Sequence, residues 1–359
     1  TPRTVVKAPR GRPGTKRLDK STTLPTTHAD WASLPTGAWA AGARPDEHAT
    51  TAQLIAGVSD TPYQANFSEE QNAAWTDYSK TATRDWRSLK YRYVDRISAW
   101  RNKNLPKTTS IDTVFYPFSG PDATNTLAFF PDAKDFTLVG LEPVGCVPSI
   151  PSDFSPEYWP ALRKGWQSAV ALGFFKTEDM EHDLAEGSAG GVLPVLLFLI
   201  ARAGNTIVDV TPTAINANGS LVAPSPTVKT ETNGIVIQFR ATQQPSNGKG
   251  KAAPPTPVRT LRYFALNLAN TRLKRQPGTT KYLNDLPFTA TLVKSASYLM
   301  HKRYFSEIRT TILAKSAVVI EDDSGIPYHY FDQTMWDVHL FGAYDKPIDL
   351  FKNWVQDDL

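Results

Sequence analysis

The stretch from Asp112 to Gly145 limits the fold more than any other part of the chain. It begins with a β-favouring apolar run, Val114 to Phe118, which ends at a Ser-Gly-Pro-Asp turn. A short apolar helix of about two turns follows and ends near Pro131, since proline cannot continue a helix. Phe136 to Leu141 then forms a second apolar run. Two buried strands joined by a helical crossover predict a βαβ unit in a mostly parallel sheet.

Three polar residues of this stretch are candidates for ligand binding: Ser119, Asp122 and Glu142. Ligands of open α/β sheets lie beyond the carboxyl ends of the strands, where these side chains are expected, and free N–H groups at a helix start favour anions. The stretch resembles the first half of a methyltransferase-type Rossmann domain, in which an acidic residue at the position of Glu142 holds a ribose. Here one glycine followed by Pro121 replaces the glycine-rich fingerprint. The alternative interpretation is a structural turn in which Asp122 caps the helix.

A second acidic cluster consists of Asp322 and Asp323, with Glu321 before them and His329 after them, and it follows another predicted strand. Clustered carboxylates suit a hard cation such as calcium, or one of them could act as a general base. The spacing does not match the twelve-residue calcium loop, so no metal site is predicted. We expect this cluster to face the same cleft as the two carboxylates of the first stretch. An acidic surface turn is the alternative.

Residues 1–61 are predicted to form an extended arm, because prolines are scattered through them without a helical or alternating period. Thr1 to Lys20 contains seven basic residues and one acidic residue, a net charge of +6 within a chain whose total is +4. The basic character of the chain is therefore concentrated in its first twenty residues.

The arm also carries two tryptophans, Trp31 and Trp39, which can each bury a large area against a partner. We therefore predict that the arm docks the protein on a larger assembly or an acidic surface. In that case, deleting residues 1–61 would leave the melting temperature nearly unchanged. The alternative is an arm that wraps its own domain. The candidate partner-binding residues are Trp31, Trp39, Arg10, Arg12, Lys16 and Arg17.

A long amphipathic helix is predicted within residues 62–105. Ser68 and Gln71 match a capping box at its start. An aromatic-rich stripe with spacings of three and four then continues over about seven turns. A regular stripe is what packing requires, so we favour a packed helix over a surface that stacks sugars or bases. The stripe consists of Trp75, Tyr78, Ala82, Trp86, Leu89, Tyr93, Ile97 and Trp100.

Residues 106–359 are predicted to form one α/β domain with an open, mostly parallel or mixed sheet and flanking helices. The apolar run Val192–Ala201 is too short to span a membrane and indicates a buried helix. Thr206–Val210 is predicted as a further parallel strand, and a second long helix is predicted over Asp285–Lys315. The runs Ile235–Phe239 and Leu261–Leu268 are predicted to pair as a hairpin.

The single cysteine, Cys146, excludes an intrachain disulfide and a multi-cysteine metal centre within one chain. Its apolar neighbours favour a core residue over a nucleophile. The sequence predicts no cofactor and no transmembrane segment. It does not favour nucleic acid as a partner.

Three segments resemble those of an uncharacterised group of bacterial exported proteins. They are YPFSGPD (residues 116–122), GLEPVG (140–145) and DDSGIPYHYF (322–331). The resemblance implies a periplasmic or extracellular location and no particular activity. Two hypotheses about function follow. The first is a non-catalytic exported protein that docks through its arm. The second is an enzyme or small-ligand binder with a Rossmann-like, carboxylate-lined site at the edge of the sheet.

Overall fold

The computed structural model describes residues 45–58, 66–105, 111–149, 152–172, 191–242, 256–294, 299–300, 302–321 and 337–340. The partner-binding residues predicted in the arm lie outside these ranges. So do the candidate ligand residues Asp322, Asp323 and His329.

The described elements alternate between helices and strands in the order expected of an α/β protein. The helices are α1 (Pro45–Ile55), α2 (Glu69–Leu89), α3 (Asp95–Asn104), α4 (Ala123–Phe129), α5 (Tyr158–Leu172), α6 (Leu193–Arg202), α7 (Asn270–Leu273), α8 (Pro277–Asn284) and α9 (Ser306–Lys315). The strands are β1 (Thr113–Tyr116), β2 (Asp135–Gly140), β3 (Asn205–Asn216), β4 (Leu221–Val222), β5 (Thr230–Ala241), β6 (Arg259–Ala265), β7 (Thr289–Val293), β8 (Ser316–Glu321) and β9 (Asp337–Leu340).

The strands form one mixed sheet in the order β4-β3-β5-β6-β2-β1-β7-β8-β9. All pairs from β6 to β9 are parallel. The pairs among β3, β4, β5 and β6 are antiparallel, which confirms the predicted hairpin of β5 and β6. The six parallel strands, numbered along the chain, take the order 3-2-1-4-5-6, which is that of a doubly wound Rossmann sheet. The predicted βαβ unit of β1, α4 and β2 is confirmed.

Both faces of the parallel strands are covered, as parallel sheets require. Val114 and Leu138 face one apolar cluster, to which α1, α2, α4, α5 and α6 contribute. Phe115 and Val139 face the opposite cluster, which α7, α8 and α9 complete. Alternate residues of one strand therefore serve two separate cores.

The predicted long helix is confirmed. Ser68 and Gln71 form the capping box, and α2 continues through a π-helical turn, Lys90–Val94, into α3. The aromatic stripe faces the core, where Trp86 meets Phe198 edge to face. The packing interpretation of the stripe therefore holds in the structure.

The predicted apolar helix is α6, in which Leu193 to Ile200 are all buried. Its Phe198 ring stacks on Trp166 with centroids 4.6 Å apart. No helix within the described ranges has both the length and the apolar composition that a membrane crossing requires.

Three predictions were wrong. Residues 45–55, which were assigned to the extended arm, form α1. Trp75 Nε1 and the Tyr78 hydroxyl donate to its last carbonyl groups, and Leu54 and Ile55 are fully buried. These contacts satisfy the C-terminal carbonyls that a helix leaves unpaired.

The segment Thr206–Val210 belongs to β3, which is antiparallel to β5 rather than parallel. A turn at residues 217–219 returns the chain without a crossover helix, and a direct return of this kind produces antiparallel pairing.

The predicted helix Asp285–Lys315 contains β7, and only its last third is helical. Pro287 precedes this strand, and its β-branched residues, Thr289, Thr291 and Val293, favour an extended backbone. All five residues of β7 are buried between β1 and β8.

Candidate functional site

The winding of the sheet places its topological switch point at the carboxyl ends of β1 and β7, and we call the space beyond these two strand ends the crevice. The chain leaves β1 through α4, on one face, and leaves β7 towards α9, on the other face. The connections after these two neighbouring strands thus run to opposite faces of the sheet. In doubly wound sheets such a position is the topological switch point, and ligands bind there. The turn after β1 holds Phe118 at φ 58°, the one non-glycine residue of the described ranges with positive φ. Such strain is costly and clusters at functional sites.

Ser119 connects the turn to β2. Its hydroxyl accepts from the Val139 N–H at 3.0 Å and lies 3.1 Å from the Val139 carbonyl oxygen, and its own N–H donates to that carbonyl at 2.7 Å. The serine therefore extends the β1–β2 ladder beyond the end of β1.

Asp122 is the N-cap of α4, in agreement with the structural interpretation of the turn. Its Oδ1 accepts from the Asn125 N–H at 3.1 Å, and its Oδ2 accepts from the Tyr116 hydroxyl at 3.1 Å and from the Asn125 amide. The Tyr93 hydroxyl, from the π-helical turn, donates to Asn125 Oδ1 at 2.9 Å. A chain of hydrogen bonds thus connects the long helix to the end of β1.

Glu142 follows β2 and is 1 % exposed. The Tyr263 hydroxyl lies 2.9 Å from its carbonyl oxygen and 3.1 Å from its Oε2. A methyl group at Gly140 would lie 2.4 Å from that Oε2, and one at Gly120 would lie 3.3 Å from Oε1. The carboxylate therefore occupies space that two glycines leave open beside the β1 turn.

The structure brings Ser119, Asp122 and Glu142 together around the ends of β1 and β2. Their hydrogen bonds lie within the turn and to the neighbouring strands, so these groups hold the edge of the sheet in shape. Asp322 and Asp323, which were predicted to face the same cleft, lie outside the described residues.

Two further charged residues reach the same edge. Val293 pairs with Glu321 in the register of β7 and β8, and Lys294 follows Val293 directly. Lys294 is 5 % exposed and Glu321 is 3 % exposed. Sequence reasoning missed Lys294 because it placed this segment inside a helix. The sequence feature that could have identified it is a lysine directly after a β-branched run, which is typical of the end of a strand.

These observations give a pattern. Among the described residues, the buried Asp, Glu, Lys and Arg side chains are Asp122, Glu142, Lys294 and Glu321. Each one ends or closely follows a parallel strand at its carboxyl end. Charged residues are rarely buried without a specific reason, because desolvation is costly.

Aromatic rings lie across the crevice. Phe118, after β1, meets Phe305, before α9, edge to face at 5.3 Å, and Tyr304 lies 4.9 Å from Phe305. Tyr304 is 50 % exposed, and Arg303 beside it is exposed as well. An exposed aromatic ring and an exposed cationic group therefore directly precede, in sequence, the ring that contacts Phe118.

Cys146 is half-buried and free. Burial raises the pKa of its thiol, and the Asp153 carboxylate raises the pKa further, so the thiol is a weak nucleophile. Within the described residues, no group of three or more His, Cys, Asp or Glu side chains is placed to hold a metal ion.

A separate polar cleft of about 260 Å³ lies between α8 and α9. The hydroxyls of Thr280, Thr310 and Thr311 each donate to backbone carbonyls of nearby residues. These hydroxyls are already used by the helices, so this cleft is the weaker candidate.

Comparisons of the chain with protein-family models, with curated proteins and with solved structures find no match.

Proposed function

We propose that the crevice between β1 and β7 binds a small organic molecule that carries both an anionic group and hydrogen-bond donors. The observation that carries the proposal is the burial of Lys294 and Glu321 at the edge of the sheet that Asp122 and Glu142 hold in shape. The switch point of a doubly wound sheet and the strained backbone at Phe118 support the same location. Charged side chains are seldom fully buried without a specific role.

The charged groups of the edge indicate the chemistry of the ligand, because three of the four buried groups are carboxylates and one is an ammonium group. Lys294 is a buried cation directly after β7, and Arg303 is an exposed cation two residues before Phe305, the ring that contacts Phe118. The exposed ring of Tyr304 offers a surface on which a flat ring or a sugar can stack. Glu321 supplies acceptors for hydroxyl or amino groups. A small anion with a ring and hydrogen-bond donors would use all of these groups.

The position of Glu142 restricts where the ligand lies. A dinucleotide bound in the usual Rossmann manner would approach the glycine of the β1 turn, and the Glu142 carboxylate already lies within contact distance of Gly120. We therefore place the ligand on the β7 side of the turn. In this arrangement Ser119 and Asp122 maintain the wall of the site and do not contact the ligand.

The proposal is tested by native mass spectrometry of the whole protein, mixed in turn with inorganic phosphate, adenosine monophosphate and glutamate as probes. We expect one of the three to form a specific adduct and to raise the melting temperature. The variant Lys294→Met should lose both effects. Lys281→Met is the matched control, because Lys281 is exposed on α8 and pairs with Asp285.

Two results would contradict the proposal: equal adduct formation by wild type and Lys294→Met, or binding that responds to Lys281→Met instead. The docking of the N-terminal arm and the periplasmic or extracellular location stay predictions, since they rest on residues and resemblances outside the described structure.

A further inference from the structure

The long helix carries more positive charge than its own carboxylates balance, although Lys80 pairs with Asp77 and Arg84 pairs with Asp85 at the surface. Residues 80–103 contain eight basic and two acidic residues, a net charge of +6. The chain outside this segment and outside residues 1–20 has 24 basic and 32 acidic residues. Residues 80–103 are therefore a cationic segment in a chain that, apart from its first twenty residues, is otherwise acidic.

Four residues of this region form an outward strip, which we name the basic ridge: Lys80, Arg84, Arg87 and Tyr91. Their spacings of four, three and four place them on one face of the helix, opposite the buried stripe. All four are exposed, and Tyr91, at 75 %, is the most exposed large hydrophobic side chain in the described ranges. The ridge is about 17 Å long at ~1.5 Å per residue.

Neighbouring elements hold α2 on both flanks. On one side, Arg163 of α5 pairs with Asp85 at 3.1 Å. On the other side, the Ser79 hydroxyl donates to the Gly57 carbonyl at 2.7 Å, and Arg202 donates to Thr83 at 3.0 Å. The helix therefore lies within a layer, and only its outer strip is presented to a partner.

We propose that the basic ridge docks the protein on a bilayer surface that contains anionic phospholipids. The charge of the ridge complements phosphate headgroups, and a tyrosine among basic residues suits the headgroup region. A helix flanked on both sides cannot enter the major groove of DNA, which is ~12 Å wide. A flat strip instead fits a flat surface. Exposed Lys164 on α5 extends the cationic surface beside it.

The test is co-sedimentation of the whole protein with phosphatidylcholine vesicles, with and without phosphatidylglycerol. The ridge variant is Lys80→Gln, Arg84→Gln, Arg87→Gln. We expect binding only to the anionic vesicles, about 100-fold weaker in the ridge variant, at about fivefold for each cation removed. Binding should also weaken as salt screens the charges.

The control variant removes the same charge from the antiparallel half of the molecule and should bind within a few-fold of wild type. It is Lys229→Gln, Arg240→Gln, Arg275→Gln, at three exposed positions. The charge-preserving set Lys80→Arg, Arg84→Lys, Arg87→Lys should bind like wild type, which keeps the proposal testable if the neutral ridge variant folds poorly.

Equal losses in ridge and control variants would overturn the proposal, because net charge alone would then explain the binding. It would also fail if the ridge variant kept wild-type vesicle affinity, or if the ridge substitutions abolished binding to a DNA oligonucleotide and left vesicle binding intact.

Discussion

Asp122 and Glu142 are both buried carboxylates that follow consecutive parallel strands, and the structure uses them in different ways. Asp122 is surrounded by donors: one backbone N–H, one amide group and one tyrosine hydroxyl. Glu142 instead lies over Gly140 and beside Gly120, with the Tyr263 hydroxyl next to it.

The difference shows that the hydrogen-bond donors around a carboxylate decide its structural role. Its position after a strand does not. Asp122 stabilises the start of a helix, whereas Glu142 fills the space that a glycine turn creates. A sequence pattern places both residues at the edge of a sheet, but it does not specify which groups will donate to them.

The largest expected effect is that of Asp122→Ala. It removes the cap of α4 and leaves the Tyr116 hydroxyl and the Asn125 amide without their acceptor. We expect a loss of about 3–5 kcal/mol in the free energy of unfolding, measured by urea denaturation. Asp122→Asn keeps a capping oxygen and should lose less. If both variants cost under about 1 kcal/mol, the cap is not a stabilising contact.

Glu142→Ala should cost about 2–3 kcal/mol, because it opens a cavity beside Gly140 and removes an acceptor from the buried Tyr263 hydroxyl. The double variant with Tyr263→Phe gives the coupling energy of the pair. Additive losses would show that the carboxylate and the tyrosine act independently.

Ser119→Ala should cost about 1–2 kcal/mol, since it leaves the buried Val139 N–H without the hydroxyl that accepts from it. Ser152→Ala, at an exposed position, is the control and should have no measurable effect. If Ser119→Ala loses no more free energy of unfolding than the control, the β1–β2 hydrogen-bond ladder ends at Tyr116 and Ser119 does not extend it.

Tyr93→Phe should cost about 1 kcal/mol, the net value of one hydrogen bond, because it separates the long helix from Asn125. The matched control is Tyr91→Phe, two residues away on the same π-helical turn and 75 % exposed. Thermal unfolding of the pair would show whether the network that holds Asp122 extends into this helix.

The smallest effect concerns reactivity. Cys146 lies in the segment that follows Glu142, and burial and Asp153 raise its pKa. At mildly alkaline pH its thiolate fraction is therefore below that of a free thiol, and alkylation by iodoacetamide should be several-fold slower than for glutathione. The rate should continue to rise with pH after that of glutathione levels off. A rate equal to that of glutathione would show that this segment is open to solvent.

The sequence predicted those elements in which the local pattern and the packing agree. The stripe of the long helix, the βαβ unit of β1, α4 and β2, the apolar α6 and the β5–β6 hairpin are of this kind. Each has a regular spacing of apolar residues, a turn or a proline at its end, and the same pattern of burial along its length.

The errors come from places where distant contacts decide the structure. Residues 285–315 contain apolar positions that also fit a helical spacing, and burial on both faces between β1 and β8 makes part of them a strand. Because of that error Lys294 was not predicted as a site residue. A lysine inside a helix is not expected at the carboxyl edge of the sheet. The residues that donate to Asp122 and Glu142 lie up to 121 residues away, as Tyr263 does, which a local pattern cannot show.

The contacts of α1 have a consequence for folding during synthesis on the ribosome. The Gly57 carbonyl, two residues after the end of α1, accepts from Arg202, 145 residues later in the chain. At translation rates of ~5–20 residues per second, roughly 7–30 s separate the synthesis of these two partners. A helix of eleven residues is marginal by itself in water. Trp75 and Tyr78 can meet α1 early, but its contacts with α6 and β3 form only after both have been synthesised. A nascent chain arrested before residue 202 should therefore leave α1 more open to proteolysis than in the complete protein.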